Sequence, residues 1–149
     1  MAETTNLVDT LNDLIETAKD GADGYTAASE DVTDPALKTL FARLASERRG
    51  FVGELQGLVA SLGGAPRESG SVLAAAHRGW INLKSAVATR DDVAILAECQ
   101  RGDENAVAHY DRAVGMAMPP EVSTVVQRQA AAVREAYGRV KGLEVARAT

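Results

Sequence analysis

Apolar residues recur at intervals of three and four along most of the chain, the spacing of one face of an α-helix at about 100° per residue. Leu7, Leu11, Leu14, Ala18, Tyr25 and Ala28 form the first such stripe. It predicts a helix over 5–30, with Thr4 or Thr5 able to cap it. Glu16, Lys19, Asp20 and Asp23 fall away from the stripe and read as a solvated face. The most sharply marked helix is 35–63. Asp34 before Pro35 is a start signal, because the carboxylate can accept from free N–H groups and proline suits the first turn. Gly63-Gly64 followed by Pro66 is a stop. Between them Leu37, Phe41, Leu44, Phe51, Leu55, Leu58 and Leu62 share a face. Ser46, Gly50, Gly53, Gly57, Ala60 and Gly64 form a stripe of small residues on the opposite side. Each interior glycine costs roughly 1 kcal/mol relative to alanine, so either another helix approaches closely there or the glycines are merely tolerated at the surface.

After the loop APRESGS, in which Ser69 or Ser71 can cap the next helix, Leu73, Ala76, Trp80, Leu83 and Val87 predict a shorter helix over 71–88. Trp80 is expected to cover an apolar edge. Asp91 or Asp92 can cap a long helix over 91–116, whose core face carries Leu96, Cys99, Ala106, Tyr110 and Ala113. Pro119-Pro120 ends it and opens a last helix over 120–145, with Val122, Val126, Val133, Ala136, Val140 and Leu143 on one face. The short turn at Asp31 to Asp34 makes the first two helices antiparallel neighbours. Two helical hairpins joined by a long connection give an all-α, ferritin-like antiparallel four-helix bundle with a short connecting helix, built as one domain over 1–149.

Three polar residues interrupt these apolar faces near mid-helix: Arg48, Asp103 and Gln129, with Glu47 on the flank of Arg48. Mid-helix positions of antiparallel neighbours meet at one level. The expectation is therefore a buried polar layer in which Arg48 pairs with Asp103, Gln129 completes the hydrogen bonds and Glu47 adds a second carboxylate. A planar cation with five donors suits such a cage. The alternative turns Arg48 outward along its aliphatic stem to water.

Composition narrows the function classes. A net charge of −5 argues against nucleic acid as partner. Aromatic residues are only 4%, which favours helices packed through small aliphatic side chains. Cys99 is the only cysteine, so no internal disulfide can form and a cytoplasmic location is expected. MAETTNLVDT has no basic region followed by an apolar run, so no signal peptide is expected, and no stretch is apolar enough to span a membrane. Cys99 lies on a core face without a nearby histidine and reads as an inert thiol rather than a nucleophile. His77 reads as a surface or boundary residue and His109 sits at the edge of its helix's core face. No phosphate loop, nucleophile elbow or paired-cysteine motif is found.

The stretches LNDLIETAKDGADGY, VTDPALKTLFARLASERRGFVGELQGLVASLGGAP, HRGWINLKSAV and ILAECQRGDENAVAHYDRAV cover most of the chain. Together they resemble a bacterial family of uncharacterised, ferritin-like four-helix-bundle proteins. The resemblance implies the fold and no activity. Di-metal members of the wider group place a Glu on each of two helices and Glu-x-x-His on each of the other two. Here Ala74 and Ala106 stand three residues before His77 and His109, and the other expected ligand regions read Ala18, Glu47-Arg48 and Gln129. That set fits two divalent cations poorly. The reading is a non-catalytic bundle without a cofactor, acting as a homo-oligomer, with a dimer favoured, or through a protein partner. The alternatives are an unusual metal site using Glu47, Asp103 and His109, and a small-ligand pocket in an alanine-rich core.

Overall fold

The computed structural model describes residues 2–66, 80, 83–89 and 91–148. Five helices run along them: α1 (Ala2–Asp31), α2 (Pro35–Ser61), α3 (Leu83–Thr89), α4 (Asp92–Val114) and α5 (Pro120–Ala148). The described residues contain no strand. The expected connecting helix over 71–88 is seen as Leu83–Thr89; Trp80 is described but not helical, and the rest of that span lies outside the described residues, as do His77, Ser69 and Ser71. α1 is already helical at Ala2, so Thr4 and Thr5 sit within its first turns rather than capping it. α5 continues to Ala148, where its last residues, Ala146 and Arg147, are good helix formers.

The helix ends explain themselves locally. Asp34 is extended (φ −73°, ψ 120°) and accepts from the Ala36 N–H at 2.8 Å, with Pro35 opening α2. At the other end Gly63 takes φ +81°, a left-handed conformation that glycine adopts without steric cost. The Gly64 N–H returns to the Val59 carbonyl and the Gly63 N–H to Ala60, each at 3.0 Å, which closes the helix in a Schellman motif. Gly64 also lies against Val8, where an added Cβ would come within 2.7 Å. Of the two aspartates at the start of α4, Asp91 is the cap, accepting from Val93 and Ala94. Asp92 instead reaches across to the α1–α2 turn. Its carboxylate accepts from the Thr33 N–H at 2.8 Å, the Thr33 hydroxyl at 2.9 Å and the Asp34 N–H at 3.1 Å. One acidic side chain thereby satisfies a turn that would otherwise leave donors free.

The four long helices share two apolar clusters. One joins Leu11, Leu14 and Ile15 of α1, Leu55 and Val59 of α2, Ala106 and Tyr110 of α4, and Val126 and Val133 of α5. The other gathers Tyr25, Phe41, Trp80, Ile95, Leu96, Cys99 and Val140. α1 packs on both α2 and α4, α5 packs on α4, and α2 meets α5 more sparingly. α2 and α4 therefore face each other across a diagonal. Because α1 is flanked on two sides, its buried arc is wider than one stripe. Asp20, expected on a solvated face, is buried, Glu16 and Lys19 are half-buried, and only Asp23 is exposed.

Trp80 is seated in a slot made by two glycines. A Cβ on Gly24 of α1 or on Gly102 of α4 would land on the indole ring. The ring also stands edge-on to Tyr25, with centroids 5.3 Å apart. The slot generates a paired expectation. Gly102→Ala overpacks it and should cost about 1–3 kcal/mol in urea unfolding. Gly138→Ala on α5, where no described atom lies within 4 Å, should instead stabilise by up to about 1 kcal/mol.

Candidate functional site

Arg48 stands at the middle of α2 among Leu44, Phe51 and Leu55, and it is 1% exposed. Helical periodicity places it inside; its length then carries the guanidinium across the bundle diagonal to Asp103 of α4, which is 0% exposed. The pair is bidentate. One terminal nitrogen donates to Asp103 Oδ1 at 2.8 Å and the other to Oδ2 at 3.1 Å. Tyr25 of α1 donates its hydroxyl to the same Oδ2, and its ring lies 5.4 Å from the guanidinium carbon. Gly21 makes room for the cation: a Cβ there would meet the guanidinium at 2.7 Å. Arg48 Nε is buried without a hydrogen-bond partner among the described residues. Two charges are thus kept in the interior by three hydrogen bonds, two of them a bidentate fork.

Burial alone would lower the Arg48 pKa. The Asp103 carboxylate and its hydrogen bonds outweigh that and hold the guanidinium above its ordinary value. Burial pushes Tyr25 well above the phenol range, with the Asp103 charge adding to it. Burial likewise raises Cys99, helped by the charges of Asp103 and Glu98, so this thiol stays protonated and a poor nucleophile.

Gln129 is fully buried but does not join this layer. It accepts from the Tyr110 hydroxyl at 2.7 Å and donates to Glu54 Oε1 at 3.1 Å and to the Phe51 carbonyl at 3.4 Å. Arg128 closes the chain on Glu54 Oε2. Tyr110 lies two turns beyond Asp103 on α4, roughly 10 Å at 1.5 Å per residue, so the interior has two polar levels rather than one. The register of α5 against α2 causes the difference: the Glu54–Arg128 contact sets Gln129 opposite Phe51 and Glu54, not opposite Arg48. Glu54 is pulled up by burial, yet the hydrogen bonds from Arg128 and Gln129 hold it below its ordinary value. Burial also raises Tyr110.

The remaining candidates lie apart. Glu47 is exposed and lines a surface groove between α2 and α5 instead of adding a second carboxylate to Arg48. His109 is half-buried, with Nδ1 3.1 Å from the Arg112 guanidinium, in an open groove shared with Thr10 and Asp13. Glu47, Asp103 and His109 are therefore not brought together as metal ligands. Among the described residues no group of three His, Cys, Asp or Glu side chains could hold a metal ion. The donor chemistry gives the reason at Asp103: both of its oxygens are already engaged by a fixed cation, which would repel a divalent ion. Gly50, Gly53 and Gly57 are exposed, and no described atom lies within 4 Å of a Cβ built on any of them.

Tyr25 and Tyr110 are the site residues that the hydropathy pattern alone passes over. Both sit on apolar faces and read as packing. The signal available in the sequence is that a buried phenol needs a hydrogen-bond partner, so a tyrosine on a core stripe marks a polar acceptor on a facing helix.

Two outcomes test this centre. Asp103→Ala strands the Arg48 charge and should cost about 3–5 kcal/mol in urea unfolding. Replacing both partners, Arg48→Met with Asp103→Leu, should recover most of that loss. In alkali, the native state keeps the protons of Cys99, Tyr25 and Tyr110 while the unfolded chain releases them. Stability should be flat near neutrality and fall as pH rises past about 8.5 to 10, the ordinary thiol and phenol values. The urea midpoint measured against pH checks this, and Tyr25→Phe should flatten the upper part of the slope.

No described helix is long and apolar enough to cross a membrane. No curated protein matches the sequence. A family model described as a domain of unknown function, DUF2383, matches residues 6–116, from the first turns of α1 to just past the end of α4 and short of α5. The chain, with a match over more than half its length, belongs to the DUF2383 family.

Proposed function

We propose that the protein is a non-catalytic, ferritin-like bundle that works by associating with a second copy of itself. The pairs Val8 with Gly64, Thr26 with Arg49, Tyr25 with Asp103 and Thr10 with Met116 support an antiparallel order for α1 against α2 and α4. Glu54 with Arg128 and Asp34 with Arg147 support the same for α2 against α5. That order, with the connection between α2 and α4, is the ferritin-like plan in a single domain.

The observation that carries the reading is the Arg48–Asp103 pair. In ferritin-like enzymes the core carries inward carboxylates and histidines that bind metal ions, and the chemistry comes from the ions. Here a guanidinium fills that place and engages the Asp103 carboxylate. The centre then acts as a register device, since a buried ion pair adds little net stability but tolerates one alignment of the helices. The exposed glycines of α2 support association, because a helix that carries Gly50, Gly53 and Gly57 in open space can receive a neighbour at close range. The buried, lone thiol fits a reducing compartment, and a bacterial cytoplasm is the proposed setting.

Elemental analysis of dialysed, untagged protein together with light scattering tests the reading. The expected result is far less than one metal ion per chain and a dimeric mass that shifts toward monomer in Gly53→Leu. Stoichiometric iron, manganese or zinc that survives dialysis, or a monomer at all concentrations, overturns it.

A further inference from the structure

The groove between α2 and α5 carries an unusual charge arrangement. Its floor is apolar and small: Leu44 and Ala136 are buried and Ala132 is half-buried. Its walls are Arg43 and Glu47 of α2 and Glu135 and Arg139 of α5, with a volume of about 210 Å³ between them. All four charged residues are exposed, and none enters an ion pair among the described residues.

The Glu54–Arg128 bridge fixes which of them lie level. Eleven residues back along α2 and eleven onward along α5 lead to Arg43 and Arg139. Seven residues lead to Glu47 and Glu135. Asp34 with Arg147, at the far end, keeps the same register to within a residue. Like charges therefore sit side by side: an arginine pair at one level and a glutamate pair one turn away, roughly 6 Å along the axes. Across the groove each level thus sets like charge beside like charge, with the opposite charge four residues away on the same helix.

A second copy sets opposite charge against each level. A twofold axis lying in the interface plane, perpendicular to the helices and crossing midway between the two levels, sets the arginine pair of one copy on the glutamate pair of the other, and the reverse. An isologous contact needs such self-complementarity. The same operation lays the level of Gly50 in one copy on the level of Gly142 in the other, and both glycines have no described atom within 4 Å of an added Cβ.

We infer that the α2–α5 groove is the dimer interface of this protein, closed by Arg43 and Arg139 of each copy against Glu47 and Glu135 of the other. The inference rests on the association reading above and gives it a location. Two double variants test it: Arg43→Glu with Arg139→Glu makes the groove wholly acidic, and Glu47→Arg with Glu135→Arg makes it wholly basic. Sedimentation velocity across a dilution series is expected to show the parent as dimer. Each variant alone should have its dimer dissociation constant raised at least about tenfold, and an equimolar mixture of the two should dimerise again. Helical content by circular dichroism should match the parent, because the four side chains are exposed. If the parent dimerises and either variant does so equally well, or if the mixture fails to associate, the interface lies elsewhere and the groove assignment is wrong, while the association reading stands. A monomeric parent overturns both.

Discussion

A buried guanidinium is the constraint around which this bundle is arranged. Moving Arg48 from water to a site 1% exposed is costly, and the cost is tolerable only if a carboxylate meets it in good geometry. Asp103 does so with both oxygens, and Tyr25 adds a donor to one of them. Three helices are thereby tied at one level. A shift of α2 against α4 by one turn, about 5 Å, would separate the charges and strand each in an apolar interior. In the function proposed above, the pair acts less as glue than as a gauge of alignment. Glycine at position 21 is part of the same device, since a methyl group there would contest the space taken by the guanidinium.

The neighbouring features are fitted to that centre. Trp80 presses on Tyr25 from a slot that Gly24 and Gly102 leave open, so the described anchor of the α2–α4 connection packs directly on a member of the polar layer. Asp92, at the opening of α4, holds the turn between α1 and α2. The start of α4 is thus fastened at the same end of the bundle as that turn. A second polar chain runs from Tyr110 through Gln129 and Glu54 to Arg128 at the surface. Its outer end is solvated, so it fixes α5 against α2 without enclosing an ion pair.

A polar core of this kind excludes some chemistry by occupancy. The carboxylate best placed to bind a cation is saturated, the thiol beside it is held protonated by burial, and the two buried phenols are both committed as donors. What remains free to act is the outside, above all the thinly packed side between α2 and α5, where charges stand without intramolecular partners among the described residues.

Much of this was written in local signals. Asp34-Pro35 and Gly63-Gly64 bracket α2 because caps and stops depend on neighbours a few residues away. The 3.6-residue periodicity marks Arg48, Asp103 and Gln129 as polar intrusions on apolar faces, because the face of a helix is set by spacing alone. Other features needed the assembled helices. Gln129 meets Glu54 rather than Arg48, since the sliding of α5 along α2 is fixed by contacts some 75 residues apart that no periodicity records. Asp20 is buried because α1 has neighbours on two sides. Gly24 and Gly102 matter because one indole must fit between two helices, and neither glycine is distinguishable by sequence from the exposed ones on α2. Periodicity determines which residues point inward; only packing decides at what height they meet, and with what.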